Sequence, residues 1–411
     1  MVLNYIWVGF FLVAFAVALA RLIFCQDYEI FANIVDSTFA MSKFAVMDIA
    51  LPLTGVMTLW LGLMNIGEKA GAVGFLSRII GPFFSKLFPE IPRNHPAMGQ
   101  LMMNFSANML GLDNAATPLG LKAMQSLQDL NPRKDTASDA QIMFLALNTS
   151  GLTLIPVAIM AQRSIMGAAN PTDIFIPLLI STYVSTLIAI LYVGVKQRLP
   201  LLNRTFLGWT GGITLALGLL VWYVSGLDQE GMSLFSKLFS NILLFTVIIC
   251  FIGAGLYKRI NVFNAFIDGA KTGFGTSVKI IPYMVAMLVG IAVFRASGAM
   301  DLLVIGIEKL AGLFTDHTDF AGALPTAFMK PLSGSGAKAM MVEAMNTYGA
   351  DSFQGRLSCL FQGAADTTFY IVALYFGSVG VKNTRYAIPA GLIADLGGVI
   401  AAIFVGYLFF G

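Results

Sequence analysis

Residues 327–370 read AFMKPLSGSGAKAMMVEAMNTYGADSFQGRLSCLFQGAADTTFY, and this stretch decides the fold. An apolar run ends at Lys330–Pro331, glycine and serine interrupt it over 333–336, and helix-forming sequence then resumes. A second apolar run breaks at Gln362–Gly363 and carries Asp366. Because both runs are as apolar as membrane spans, we expect the broken stretch to lie at membrane depth. Irregular backbone is tolerated there only where protein buries it or where it lines a wet cavity, as in many transporter sites.

The composition is that of a polytopic membrane protein. Of 411 residues, 57% are hydrophobic and 11% are charged, whereas soluble domains carry roughly 25% charged residues. The net charge of +3 is dispersed, which argues against a nucleic-acid partner. Three scattered cysteines and two histidines make no metal-binding pattern, and motifs of common enzymes are missing. We therefore expect no metal, no cofactor and no catalytic activity.

Apolar segments predict about nine membrane crossings, since a hydrocarbon core of ~30 Å needs about 20 apolar residues. Residues 27–44 are too mixed to span and are predicted to be interfacial at most, and 68–88 predict an amphipathic helix in the interface. Residues 96–130 and 321–347 predict re-entrant helical hairpins. The predicted crossings are 3–24, 46–66, 140–162, 172–195, 207–224, 238–257, 278–295, 353–378 and 386–409, of which 140–162 and 353–378 are interrupted.

The order of these elements recurs along the chain. GLKAM at 120–124 matches GAKAM at 336–340, and each follows a Pro-Leu pair. Both halves contain a span with an early proline, an amphipathic segment, a hairpin, an interrupted span and a clean span. This predicts an all-α protein of two repeats, 1–205 and 206–411. Five predicted crossings separate Pro52 from Pro282, and because five is odd, the second repeat should be inverted in the membrane.

Charged loops predict the orientation. Segment 196–206 holds three Lys/Arg and no acid, and Lys258–Arg259 adds two more, so both should be cytoplasmic. Segment 67–95 then falls inside, with four Lys/Arg against two Glu, and 297–320 falls outside, with one Lys against four Asp/Glu. We expect a bacterial inner-membrane protein with a cytoplasmic amino terminus and an external carboxyl terminus.

The second repeat supplies six candidate substrate-binding residues. The SGSG break leaves a half-helix N-terminus, which attracts anionic or polar groups. An intramembrane carboxylate such as Asp366 is a functional hypothesis by default, and it could take H⁺, Na⁺ or a substrate hydroxyl. The alternative is structural, with Lys338 paired to Glu343 or Asp366. The candidates are Ser333, Ser335, Lys338, Gln362, Asp366 and Thr367.

The first repeat supplies four more candidates and several polar neighbours. Residues 104–124 read NFSANMLGLDNAATPLGLKAM, with Asp113 and Asn114 near the middle, and polar residues also break the facing span at 148–150. Amides lining a cavity can recognise a neutral polar molecule, whereas the alternative is that they cap broken helix ends. The candidates are Asn104, Asn108, Asn148 and Thr149.

These motifs carry a family resemblance. The 104–124 stretch, followed by LALNTSGLTLIPVAIMAQRS at 145–164, resembles spore maturation protein A. KPLSGSGAKAM at 330–340, with FQGAADTTFYIVALYFGSVGVKNTRYAIPAGLIADLGG at 361–398, resembles spore maturation protein B. The chain thus looks like a fusion of the two, each a gate-type or nucleoside-recognition domain. That group is similar to parts of concentrative nucleoside transporters and ferrous-iron transporters, and it implies that the hairpins and interrupted spans line a substrate path.

We therefore expect a transporter of a small polar solute, nucleoside-like or an organic anion, acting between two inverted gate repeats. H⁺ or Na⁺ is a candidate coupling ion, the lipid bilayer is the surrounding partner, and a homo-oligomer is compatible with the sequence. The alternative is a non-transporting membrane scaffold or regulator of envelope or cell-wall machinery. A metal-ion gate is disfavoured because the polar centre is short of the Cys, His and carboxylate ligands that such sites use.

Overall fold

A computed structural model describes residues 2–92, 95–111, 113–227, 229–313 and 318–411. The side chains of Asp113 and Asn114 lie outside the described part. The described chain is helical, with one isolated bridge between Thr136 and Asn383, so the predicted all-α class is confirmed. The helices are α1 (Val2–Cys25), α2 (Ile30–Phe44), α3 (Leu51–Ala70), α4 (Ala72–Leu87), α5 (Pro96–Met109), α6 (Asp113–Leu130), α7 (Asp139–Ser150), α8 (Val157–Ile165), α9 (Phe175–Lys196), α10 (Arg204–Ser225), α11 (Gln229–Tyr257), α12 (Val262–Ala296), α13 (Ala299–Ala311), α14 (Leu324–Met329), α15 (Gly334–Tyr348), α16 (Phe353–Gly363), α17 (Thr368–Val379) and α18 (Ala387–Phe410).

The protein is a multi-pass membrane protein. Within the described ranges, eight helical segments are long and apolar enough to cross a bilayer: Trp7–Cys25, Ile30–Ala70, Phe175–Lys196, Arg204–Ser225, Lys237–Tyr257, Val262–Ala296, Phe353–Val379 and Ala387–Phe410. The predicted crossing at 140–162 is not among them, because α7 and α8 have only 12 and 9 residues and a six-residue link separates them. A single span needs about 20 residues.

Most of the stretch 27–44, predicted to be interfacial at most, forms α2, which continues through a π-helical segment at Ala45–Ala50 into α3 as one helix. The position of this stretch relative to the bilayer stays a prediction. The π segment directly precedes Pro52, which lacks an N–H and would otherwise disturb the helical hydrogen bonding. Polar side chains are accommodated locally, since Thr38 Oγ1 donates to the Ile34 carbonyl at 2.9 Å. Residues 261–277 are likewise part of one long helix, α12.

Helices α3 and α12 pack so closely that their backbones touch. A Cβ atom at Gly273 would lie 2.5 Å from the Met57 carbonyl oxygen, and one at Gly269 would collide with the Leu61 carbonyl. Small residues four apart are a common basis of close helix packing in membranes. Helix α3 belongs to residues 1–205 and α12 to residues 206–411, so this contact joins the two halves of the chain.

Both predicted hairpins and both predicted helix interruptions are present, although residues 334–336 and Gln362–Gly363 are helical and the second break lies just after them. Helices α5 and α6 pack against each other around a turn that includes residues 110–111, and α14 and α15 pack around a turn at 330–333. The predicted amphipathic helix is α4, which buries one face against α5 through contacts such as Phe84–Phe105. The interrupted helices are α7–α8, broken at 151–156, and α16–α17, broken at 364–367. Their depth in the bilayer and the inversion of the halves stay predictions.

Two pairs of loops connect the halves. In loop pair A, residues 131–138 contact 380–386, where Lys382 and Asn383 N–H groups both donate to the Asp135 carbonyl at 2.9 Å. Arg385 also forms an ion pair with Asp139 at 2.6 Å.

In loop pair B, residues 166–174 contact 349–352. Arg163 is fully buried beside them and pairs with Asp173 at 2.9 Å and Asp351 at 3.1 Å. Arg356 binds the second Asp173 oxygen at 2.8 Å. Burial raises the pKa of Asp173, while the two guanidinium groups oppose that rise. Each loop pair therefore joins one loop of each half.

Candidate functional site: the cavity between two helix breaks

The two interrupted helices touch at their breaks. The Asp366 N–H donates to the Thr149 carbonyl across the halves at 2.7 Å. Gly151 ends α7 with a left-handed backbone, φ +57°, and a Cβ atom there would approach the Asp366 nitrogen to 3.2 Å. Glycine suits both requirements, since it adopts positive φ without strain and leaves room for a neighbouring backbone. The contact places the irregular backbone of both halves in one region.

Each hairpin turn contacts the break of its own half in the same way. In the first half, the Leu154 N–H donates to the Met109 carbonyl at 2.8 Å. In the second half, the Phe369 N–H donates to the Pro331 carbonyl at 3.1 Å. These bonds satisfy backbone groups that the helix breaks would otherwise leave unpaired. They also fix each turn against its break.

A cavity of ≈ 320 Å³ opens where the breaks and turns meet. Small-molecule sites occupy roughly 300–1,000 Å³, so this cavity is at the small end. One side is apolar, formed by residues such as Ile155, Val157 and Leu178. The polar side chains come from both halves: Asn108, Asn148, Thr153, Lys330, Gln362 and Asp366.

The amides of the first half hold each other in place. Asn108 Nδ2 donates to Asn148 Oδ1 at 2.8 Å, and Asn148 Nδ2 donates to the Phe144 carbonyl at 2.9 Å. The Tyr375 hydroxyl of the second half lies 3.5 Å from the same Asn148 oxygen. This fixed pair presents Asn108 and Asn148 to the cavity from one wall.

The second half contributes polar groups with unused bonding capacity. Gln362 Oε1 and Thr367 Oγ1 are buried, and neither has a hydrogen-bond partner within the described residues. Asp366 is exposed to the cavity, and its Oδ1 accepts from the Thr367 N–H at 2.7 Å. Buried polar atoms are normally hydrogen-bonded. Gln362, which lines the cavity, is therefore positioned to bond a polar guest.

Four of the ten predicted site residues line the cavity, namely Asn108, Asn148, Gln362 and Asp366. The other six lie in the surrounding elements and are not part of that lining. Asn104 is fully buried and donates to the Ala116 carbonyl within the first hairpin at 2.8 Å. The Thr149 carbonyl accepts from the Asp366 N–H, and Thr367 directly precedes α17. The Ser333 hydroxyl caps α15 by accepting from the Gly336 N–H at 3.0 Å, and the Ser335 hydroxyl oxygen lies 3.3 Å from that of Ser333. Lys338 is half-buried on α15.

The sequence-based alternative pairs Glu343 with Lys338, but the structure shows Glu343 bonded to Arg295 and Thr347. It forms an ion pair with Arg295 of α12, and its Oε1 accepts from Thr347 at 2.7 Å. This arrangement ties α15 to α12, at a distance from the cavity lining. The carboxylate that sequence reasoning left without a role is Asp395, which lies behind the second break and hydrogen-bonds Thr368 at 2.7 Å. In the sequence, the glycines on either side of it, Gly391 and Gly398, indicate close packing at this position, and in the structure they let α18 approach the break.

Comparison with known proteins agrees with this architecture. A family model described as nucleoside recognition, named Gate, matches residues 50–166 and 277–382. Spore maturation protein A of Bacillus subtilis (strain 168) is 41% identical over 188 residues, which are 46% of this chain and 92% of that protein. Spore maturation protein B of the same organism is 41% identical over 157 residues, 38% of this chain and 86% of that protein. The chain therefore belongs to the nucleoside recognition (Gate) family and is a relative of both spore maturation proteins.

Proposed function

We propose that this protein transports a small polar solute across the bacterial inner membrane through the cavity between the two helix breaks. The observation that carries the proposal is the direct contact of the breaks, Asp366 N to Thr149 O, beside a cavity lined from both halves. Broken helices that converge on a polar cavity are the construction used by many secondary transporters. No catalytic step is part of the proposal.

The lining favours a solute with one polar and one apolar face. Asn108, Asn148 and Gln362 offer neutral donors and acceptors, while Lys330 and Asp366 add one charge of each sign. The apolar residues of the lining, such as Ile155 and Leu178, suit an apolar ring or chain. A nucleoside or a small organic anion has this character, and the description of the matching family makes nucleosides the first probes.

We further propose that residues 1–205 and 206–411 act as two inverted gate repeats that rock against each other about the α3–α12 contact. The amino terminus is cytoplasmic and the carboxyl terminus external in this arrangement, because the Lys/Arg-rich loop 196–206 lies inside. A homo-oligomer is compatible with the proposal but is not required, since residues of a single chain line the cavity.

The test is solute uptake by the purified protein in proteoliposomes, with labelled uridine, adenosine and a panel of carboxylates as probes. Thermal-shift measurements against the same panel report binding independently of flux. We expect Asp366→Asn and Gln362→Ala to lower uptake about tenfold or more, the effect of a lost charged or buried hydrogen bond. The control is Asp129→Asn, which removes a carboxylate from the exposed surface of α6.

The second candidate is a non-transporting scaffold or regulator of envelope machinery, favoured by the names of the two spore maturation relatives. In that case Asp366→Asn and Lys338→Ala should leave every measured flux unchanged, and no probe should shift the melting temperature. That combined result, obtained with folded and inserted protein, would overturn the transport proposal.

A further inference from the structure

Asp395 lies inside the last transmembrane helix, directly behind the break of α16–α17. Its side chain is 5% exposed. Gly391 and Gly398, one turn away on either side, allow this close approach: a Cβ atom at Gly391 would lie 2.6 Å from Thr368 Cγ2, and one at Gly398 would lie 3.0 Å from the Ala364 carbonyl oxygen. The carboxylate is therefore held against the break but outside the cavity lining.

The carboxylate has one satisfied and one unsatisfied oxygen. Oδ2 accepts from the Thr368 hydroxyl at 2.7 Å. Oδ1 is buried and accepts no hydrogen bond from the described residues. A carboxylate buried at membrane depth is costly unless it is paired, hydrated or neutralised. Asp395 Oδ1 is thus able to take a proton or to coordinate a metal cation.

Among the residues that the structure describes, Lys330 of the second hairpin turn and Asp366 of the break act on Asp395 electrostatically. Helix α9 presents a neutral group, because Ser185 donates to the Ala394 carbonyl at 2.9 Å, and α17 presents Thr368. One ammonium group therefore faces two carboxylates, and the fully ionised trio carries a net charge of −1. Such an excess charge in a low-dielectric region favours uptake of one further positive charge.

Lys330 belongs both to this trio and to the cavity. It is 8% exposed, it lines the cavity, and it interacts electrostatically with Asp395. When Asp395 carries its own cation, the attraction between Lys330 and Asp395 is weakened. The ammonium is then available to Asp366 or to an electronegative group of a solute. Lys330 can thus transmit the state of the buried carboxylate to the cavity.

We propose that Asp395 is a binding site for one monovalent cation, H⁺ or Na⁺, and that its occupancy controls the affinity of the cavity for solute through Lys330. This inference rests on the proposed function for the role of the cavity. The cation site itself rests on the packing, burial and bonding of Asp395. Loading the cation first and the solute second gives symport, because each stabilises the other's bound state.

The test of the cation site uses no solute. The melting temperature of the purified full-length protein is measured while Na⁺ replaces choline at constant ionic strength and, in a separate arm, while pH is lowered. A ligand that binds the folded state more tightly than the unfolded state raises the melting temperature, and the rise grows with the logarithm of its concentration once this exceeds the Kd. The arm in which the wild type gains more than Asp395→Asn identifies the cation, because carboxyl groups present in both proteins, such as Asp173, contribute to the pH response of each.

Lys330→Met should strengthen cation binding, whereas Asp395→Asn should remove it. Removing the competing ammonium should tighten the apparent cation affinity by about tenfold, the usual effect of one nearby charge. Asp268→Asn, which removes an exposed carboxylate paired with Lys69 on the surface, is the matched control and should keep wild-type cation dependence.

The cation site is refuted if the wild type responds to neither arm, if Asp395→Asn responds as strongly as the wild type in both arms, or if Lys330→Met weakens the response. Failure of solute uptake alone refutes only the proposed function, because the melting measurement contains no solute. If the cation site and the proposed function are both correct, solute binding in the wild type should require the cation, and Asp395→Asn should bind the solute independently of the cation.

Discussion

Replacing Arg163 by Met should destabilise the protein strongly, because this side chain joins the two halves inside loop pair B. The guanidinium is fully buried and donates to the Ala350 carbonyl at 2.6 Å and the Asn170 carbonyl at 3.3 Å. It also pairs with Asp173 at 2.9 Å and Asp351 at 3.1 Å. Methionine fills much of the volume of the side chain but offers none of these donors.

The expected loss in the free energy of unfolding is about 3–4 kcal/mol. Removing one partner of a buried ion pair costs about 3–5 kcal/mol because the other charge stays buried. The lower part of the range applies, since Arg356 still holds Asp173 at 2.8 Å. Burial raises the pKa of Asp173, and without Arg163 it should rise further. A group that holds its proton more tightly when folded stabilises the fold as pH falls, so the deficit should shrink in acid.

The assay is unfolding by sodium dodecyl sulfate in mixed micelles, followed by far-ultraviolet circular dichroism. Arg385→Met is the matched control, because Arg385 makes the equivalent link in loop pair A but is 36% exposed beside a 30% exposed Asp139. Exposed pairs of this kind contribute about 0–1 kcal/mol. If Arg163→Met costs no more than Arg385→Met, loop pair B does not hold the halves together as argued.

Three other predictions test the same architecture. Gly273→Ala should lower the free energy of unfolding by about 1–3 kcal/mol, because the added Cβ collides with the Met57 carbonyl. Gly275→Ala is the control and should be neutral or slightly stabilising, because the space around its Cβ is open. Equal effects in the same assay would contradict the close α3–α12 contact. Cysteines at Thr136 and Asn383, which form the bridge of loop pair A, should cross-link under mild oxidation, because residues paired in a β-bridge lie on backbones about 5 Å apart and disulfides span such separations; no mobility shift on gels would count against the pairing. In intact cells, an impermeant thiol reagent should label Ala169→Cys but not Arg133→Cys, both exposed; the reverse pattern would invert the proposed orientation.

The sequence alone predicts those parts of the fold that local chemistry determines. The turn beside SGSG and the break just after Gln362–Gly363 are predicted to within a few residues, because glycine, serine and proline interrupt apolar helices in recognisable ways. The continuous helix 30–70 is not visible, since polar residues at 36–43 lower the hydropathy and Pro52 indicates a start. Its helicity depends on packing against α12, a contact between residues about 200 positions apart, such as Asn65 Nδ2 to the Ala265 carbonyl at 2.6 Å.

The candidate site shows the same difference between features that local sequence predicts and features that depend on long-range contacts. Asn108, Asn148, Gln362 and Asp366 stand beside helix breaks in the sequence, and the breaks themselves meet in the fold, so proximity to a break is a sound local signal. Asp395 interrupts an otherwise uniform apolar helix, and the sequence does not indicate that Thr368 and Lys330 are its neighbours.

The loop pairs also bear on the inversion of the two halves. Interrupted helix α7–α8 runs from the 131–138 loop of pair A to the 166–174 loop of pair B, whereas α16–α17 runs from the 349–352 loop of pair B to the 380–386 loop of pair A. These opposite paths are what the proposed inversion of the second half requires. The next helices agree, because α9 returns to pair A, where Gln197 donates to the Asp139 carbonyl at 2.7 Å, and α18 returns to pair B, where the Phe410 ring lies 5.0 Å from the Arg356 guanidinium. Pair A lies beside the basic loop 196–206, and the charge distribution predicts that this side is cytoplasmic.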